Sequence, residues 1–176
     1  TDRQNVQLHW IRIEDVPAIW ERIEAVGLST QEACGDTPRV ILGCPIAGVT
    51  VDEVFDATPD IRAVAERFIG DPAFSNLPRK YKTSISGCLA GCTNHEINDV
   101  SFVGVVGPDG ELGYDLQVGG GLSTNPMFAQ RVGAFVPRER VPEVWAGVTS
   151  LFREYGYRRS RNHSRLKFLV KDWGPE

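Results

Sequence analysis

The sequence lacks any long apolar run. Nothing in it approaches the roughly 18–20 residues that a membrane-crossing helix needs, and the longest stretch, around Val100–Val106, is already interrupted by Ser101 and Gly104. A membrane partner is therefore not expected. The chain has 1 methionine, and it is not at the first position, which is Thr1. Nothing near Thr1 has the charged-then-apolar layout of an export signal, so the expected location is cytoplasmic. Cysteine is sparse: 4 in 176 residues do not make a disulfide scaffold. Excess positive charge is missing too, since 19 Lys and Arg stand against 23 Asp and Glu, which argues against a nucleic-acid surface. Lysine itself is rare, 4 residues beside 15 arginines, a bias that suits fixed, forked contacts to oxyanions.

What remains is an ordinary globular composition. Hydrophobic residues make up 41% and charged residues 24%, enough for a packed core. No internal repeat or linker divides the chain, so residues 1–176 are expected to form a single domain. Val6, Leu8 and Trp10 alternate with Asn5, Gln7 and His9, predicting a strand with a polar face that also includes Arg3. A helix is expected from Pro17 to Val26, with Asp15 as N-cap and Gly27 as stop. Residues 28–48, irregular and rich in Gly, Pro and Cys, read as a functional loop or short elements. Asp60–Ile69 predicts a helix and Arg79–Ser86 a strand. Ser101–Val106 and Glu111–Val118 predict a hairpin around Gly107-Pro108-Asp109-Gly110. Further helices are expected over Phe128–Val132, Val141–Tyr155 and Ser164–Trp173. Locally paired strands interspersed with helices give an α+β fold, a mixed β-sheet covered by helices.

Several residues could carry chemistry, each with a plainer alternative. On a strand, Lys80 and Lys82 share a face while Tyr81 points the other way. The pair is either a solvated edge or an anion pocket in which a doubly charged ligand relieves the repulsion. Arg39 lies in a Gly/Pro/Cys-rich loop that could hold its guanidinium in place. Arg3, Gln7 and His9 are either the wet side of an edge strand or a row of donors to carboxylates. Gly119, Gly120 and Gly121 are either a flexible turn or a place where backbone approaches a flat ligand. Cys88-x3-Cys92 has metal-compatible spacing, and Cys34 and Cys44 could complete a four-thiolate set for zinc or an iron–sulfur cluster; small buried thiols are the alternative. Arg158, Arg159, Arg161, Arg165 and Lys167 form a basic cluster. It suits an acidic partner, cofactor carboxylates, or simple solvation.

Read together, TDRQNVQLHW (1–10), ACGDTPRVILGCPIAG (33–48), LPRKYKTSISG (77–87), INDVSFVGVVG (97–107), LQVGGGLS (116–123) and RLKFLVKDWG (165–174) resemble the siroheme-dependent sulfite and nitrite reductases. They are most similar to the ferredoxin-dependent assimilatory sulfite reductases of the actinobacterial type. The matching stretches follow family order and span nearly the whole chain.

The resemblance implies a nitrite/sulfite reductase haemoprotein fold and a longer enzyme of two pseudo-symmetric halves, of which this is part of the first. It implies six-electron reduction of sulfite to sulfide at siroheme coupled to a 4Fe–4S cluster, with ferredoxin as electron donor and the other half of the polypeptide as partner. Arg39, Lys80 and Lys82 would be the catalytic cations, holding the sulfite oxygens and supplying protons. A further family arginine is expected upstream of Thr1. Arg3, Gln4, Gln7 and His9 would contact siroheme carboxylates, and Gly119–Gly121 would lie against the macrocycle. The cluster ligands are expected outside this segment, in a C-x5-C and C-x3-C pattern. Cys88-x3-Cys92 matches the second pair only, so no metal ligand is assigned here. Cys34 corresponds to a cysteine that some relatives cross-link to a tyrosine, with an ordinary buried thiol as the other reading. Lys82 favours sulfite, because nitrite-reducing relatives commonly carry asparagine there. A nitrite reductase, or a non-catalytic cysteine metal-binding module, is the alternative.

Overall fold

The computed structural model describes residues 1–176. Five strands form one sheet: β1 (Pro38–Leu42), β2 (Tyr81–Ser86), β3 (Val100–Val106), β4 (Leu112–Val118) and β5 (Gln130–Pro137). Their spatial order equals their chain order; β1, β2 and β3 run parallel, whereas β3–β4 and β4–β5 are antiparallel. Four helices accompany them: α1 (Val16–Glu24), α2 (Thr58–Phe68), α3 (Val141–Tyr155) and α4 (Leu166–Trp173). The mixed sheet with helices is the α+β class that local strand pairing implied.

Strand alternation divides the sheet into two chemically different faces. Tyr81, Thr83 and Ile85 of β2, Val100 and Phe102 of β3, and Tyr114, Leu116 and Val118 of β4 point toward the helices. The core they form also takes in Val64, Phe68, Trp145, Phe152, Leu166 and Leu169. Trp145 of α3 anchors this layer, stacked on Phe68 at 5.0 Å and fully buried. Its indole Nε1–H donates to Thr83 Oγ1 at 2.9 Å, satisfying the one polar group it carries into the core. By the same alternation, Lys82, Ser84, Ser101, Asp115 and Gln117 face the other way. That face is polar.

Two expectations fail, and one irregular stretch holds a short strand. Residues 5–10 form no strand. The alternation is there, but Val6 is 75% exposed and Trp10 99%, Trp10 has φ +60°, and no neighbouring strand takes up the backbone hydrogen bonds. A strand pattern without a pairing partner cannot be realised. Residues 128–132 are not helical either; β5 begins at Gln130 and pairs antiparallel with β4. Phe128 and Val132 have helical spacing by coincidence: Phe128 precedes β5, and only Val132 lies in it. Within β5 the pairing is irregular, with two extra residues between the Arg131↔Gln117 and Phe135↔Asp115 partners, near Gly133 at φ +79°. β1 lies inside the stretch 28–48 read as a functional loop or short elements; its five residues carry too little alternation to be placed in advance.

Candidate anion site

The site begins with the rotation of β2. Tyr81 is fully buried, its ring 5.8 Å from Phe152 and 5.9 Å from Trp145, and this locks the residues on either side outward. Lys80 and Lys82 therefore emerge together on the polar face. Next to them runs β1, in which Pro38 pairs with Tyr81 and Ile41 with Thr83. Three steps along β1 match two along β2, so Arg39 and Val40 share the place opposite Lys82. This irregularity delivers Arg39 to the lysine pair.

Arg39 is held by the loop that precedes it. Its guanidinium donates to the carbonyls of Ala33 and, at 2.7 Å, Gly35, wrapping the loop that carries Cys34 around the cation. Its Nε–H is buried with no partner. Arg3 arrives from the N-terminal segment and donates to Asn98 Oδ1 at 2.6 Å and to the Val40 carbonyl at 3.3 Å. Arg3, Arg39, Lys80 and Lys82 line one cleft of about 260 Å³. A second cleft of about 200 Å³ opens on the other flank of the same two lysines, lined also by Arg79, Arg161, Arg165 and Lys167. The sequence-predicted cations thus converge.

Crowding like charges changes their chemistry. Burial, then Arg3, Arg165 and Lys80, push the Lys82 ammonium from its usual 10.5 down to about 8. Burial, then Arg165, Arg39 and Arg79, lower Lys80 as well. Asp99 opposes both shifts. Its carboxylate is fully buried, accepts Arg165 Nε–H at 3.0 Å and Nη2–H at 2.7 Å, and accepts the Lys82 backbone N–H at 2.8 Å. In return the Asp99 N–H donates to the Lys82 carbonyl at 2.9 Å. A cationic pocket with one lysine near neutrality can hold a doubly charged oxyanion and also give it a proton.

Other sequence-predicted residues fall elsewhere. Gln4 spends its amide on the end of β1, donating to the Gly43 carbonyl at 2.7 Å and accepting from its N–H at 3.2 Å. Gln7 and His9 are exposed and line neither cleft. At Gly119 an added Cβ would meet Val170 at 2.9 Å, and at Gly120 the carbonyls of Glu96 and Asn98 at 2.5 and 2.6 Å. These two glycines admit the chain's own backbone and helix. Gly121 alone borders the cations, with Arg165 Nη2 and Lys167 Cδ each 3.3 Å from its would-be Cβ. Cys34 is exposed, Cys88 buried, and Cys44 lies beside Cys92. No group of three or more Cys, His, Asp or Glu is arranged to hold a metal ion. Sequence reasoning missed Asp99 as a site residue. Its signal was faint: one acid directly before a strand, in a segment whose next arginine partner is 66 residues away.

Residues 34–176 match the family model described as the nitrite and sulphite reductase 4Fe-4S domain. The chain belongs to this family. Residues 1–26 match a second family model, the nitrite/sulfite reductase ferredoxin-like half domain. The chain is 63% identical over 174 residues, 99% of its length, to a sulfite reductase [ferredoxin] of Mycobacterium tuberculosis strain H37Rv, covering 31% of that protein. It is 41% identical over 181 aligned residues, 100% of its length, to an assimilatory ferredoxin-dependent nitrite reductase of Haloferax mediterranei, covering 31% of that protein. The solved structure of the Mycobacterium tuberculosis NirA protein superposes with a TM-score of 0.92 at 63% identity, covering 99% of this chain and 32% of that one. The chain thus spans about a third of the length of these relatives.

Proposed function

We propose that this chain is a siroheme-contacting unit within a longer, two-half ferredoxin-dependent sulfite reductase that carries out the six-electron reduction of sulfite to sulfide. The convergence of Arg39, Lys80 and Lys82 in one cleft carries the reading. The donor set suits a carboxylate-rich tetrapyrrole beside a small oxyanion: Arg79, Arg161, Arg165 and Lys167 extend the positive surface past the lysines on the second flank. Siroheme and its coupled 4Fe–4S cluster, with cluster ligands outside these residues, would pass the donor's electrons on to sulfite. Ferredoxin as donor, sulfite as substrate and the second half of the polypeptide as partner follow from the same reading, supported by the names that the relatives bear.

Arg39, fixed by the Ala33 and Gly35 carbonyls, binds and orients sulfite through the N–H groups it has left. Lys80 and Lys82 neutralise the charge that builds on the oxygens as electrons arrive. Lys82, lowered to about 8, loses its proton more readily than an ordinary lysine, so it is the better donor as each S–O bond breaks. The two lysines flank the buried Tyr81, at the start of β2 and just before it, which keeps both on the same side. Cys34, in the turn that grips Arg39, is the proposed place of a cross-link to a tyrosine.

The test is Lys82→Asn in the full-length enzyme, assayed with sulfite and with nitrite. Loss of one such donor is expected to lower sulfite kcat/KM by about 10²-fold, and nitrite turnover by much less. Unchanged turnover of both would remove Lys82 from the reaction, and faster nitrite than sulfite reduction by the parent enzyme would favour a nitrite reductase.

A further inference from the structure

Asp99 occupies a place that the reaction does not explain. It is fully buried and lines neither cleft, yet it is hydrogen-bonded to three elements around the lysines. Through its side chain it holds the Lys82 N–H and the Arg165 guanidinium; through its backbone it holds the Lys82 carbonyl and, at 2.8 Å, the Gly119 N–H. One residue thereby joins β2, the end of β4 and the start of α4. We propose that Asp99 is the positioning residue of the oxyanion site, fixing where Lys82 leaves β2 and how the Arg165 guanidinium lies, and letting the cations crowd together before an anion is bound. This rests on the oxyanion-site reading above and adds to it a residue that touches neither substrate nor cofactor.

The charges around Lys82 make the idea measurable. Facing it are Arg3 from the N-terminal segment, Lys80 from just before β2, Arg165 from the start of α4, and Asp99. Arg39 on β1 and Arg79 act on Lys80 beside it. Glu32 borders the same cleft and accepts from Ser75 Oγ at 3.1 Å. Asp99 is the carboxylate that Arg3, Lys80, Lys82 and Lys167 all feel. Replacing it by the isosteric asparagine keeps one acceptor oxygen and deletes the charge, so Lys82 should give up its proton at lower pH. Deleting the Arg165 charge should do the opposite.

The experiment is calorimetric titration of the full-length reductase with sulfate, which stays doubly charged from pH 6 to 10. Repeating each titration in buffers of different ionisation enthalpy counts protons. Binding to the parent protein is expected to take up protons as the pH rises toward about 8, where free Lys82 is half deprotonated. In Asp99→Asn this onset should move down, by up to about one pH unit, because the one charge that raises the Lys82 pKa is gone. In Arg165→Gln it should move up. A folded Asp99→Asn protein with the parent's onset overturns the proposal, and so does one that has lost sulfate binding at every pH, because Asp99 would then be merely structural. Should Asp99→Asn fail to fold, Arg165→Gln decides: an unmoved onset overturns the proposal. Sulfite turnover by the parent is assayed separately, so a failed reductase reading and a failed role for Asp99 give different results.

Discussion

Lys82 is the residue on which charge, burial and backbone geometry meet. Its ammonium is half-buried among three cations, and its pKa near 8 lies well below the usual 10.5. The consequence for stability has a definite sign. Between pH 8 and 10.5 the unfolded chain holds a proton at this position that the folded chain has released, so stability rises with pH across that window. Below 8 both states are protonated and the folded protein bears the full repulsion. Lys82→Met should therefore stabilise the anion-free protein at pH 7, by about 1 kcal/mol after allowing for solvent screening, and the gain should vanish by pH 10.5. Urea unfolding at the two pH values checks this. An equal gain at both would mean that packing, not charge, is responsible. Bound sulfate should erase the gain at pH 7, because the ligand restores what the lysine lacks.

At the scale of elements, the site depends on close backbone approaches that only glycine allows. The segment 96–99 carries Asn98 and Asp99 and crosses directly over Gly120, leaving 2.5–2.6 Å between two of its carbonyls and the position of a Cβ. Neither contact can yield without moving Asp99 off β2. Gly120→Ala should cost about 1–3 kcal/mol, as overpacking usually does, and should also weaken sulfate binding by displacing the Lys82 backbone. Thermal unfolding and calorimetry on the same variant test the two effects; lost stability with intact anion binding would separate segment 96–99 from the site.

The same elements explain how much could be read in advance. The β3–β4 hairpin, α2 and α3 were legible because each combines periodicity with a boundary signal, Gly107-Pro108-Asp109-Gly110 in the first case and a proline at the helix start in the others; β2 was legible from alternation alone. The lysine pair was legible because positions two apart on a strand share a face. The two bulges were not. Both sit where one strand must carry extra residues past its neighbour, a requirement set by the partner strand and invisible in local sequence. Arg39 was nevertheless identified, through a resemblance among segments and not through periodicity. The glycines point the same way: sequence shows that Gly119–Gly121 need space, but only the fold shows that α4 and segment 96–98 fill most of it.

At the scale of the whole molecule, the N-terminal segment stands apart from the rest. It is tied down by Arg3 and Gln4, which bridge to Val40, Asn98 and Gly43. Beyond them Val6, Leu8, Trp10 and Ile13 are 75%, 53%, 99% and 81% exposed. A row of large apolar side chains in water is unusual for a free surface, and here it coincides with an alternation that suits a strand. The relatives are about three times longer than this chain, and residues 1–26 match only the half-domain model. In the proposed longer reductase, another segment of the polypeptide should pair with residues 5–10 and bury Trp10. Burying an indole of this size is worth about 2–3 kcal/mol, so Trp10→Ala should destabilise the full-length protein by that order and leave the stability of residues 1–176 alone nearly unchanged. Equal effects in both would mean that Trp10 remains in solvent throughout. Because Arg3 lies on the same segment, pairing of residues 5–10 should also hold its guanidinium more firmly in the anion cleft. Full-length Trp10→Ala should therefore bind sulfate more weakly than its parent, while Trp20→Ala on α1, away from that cleft, should not.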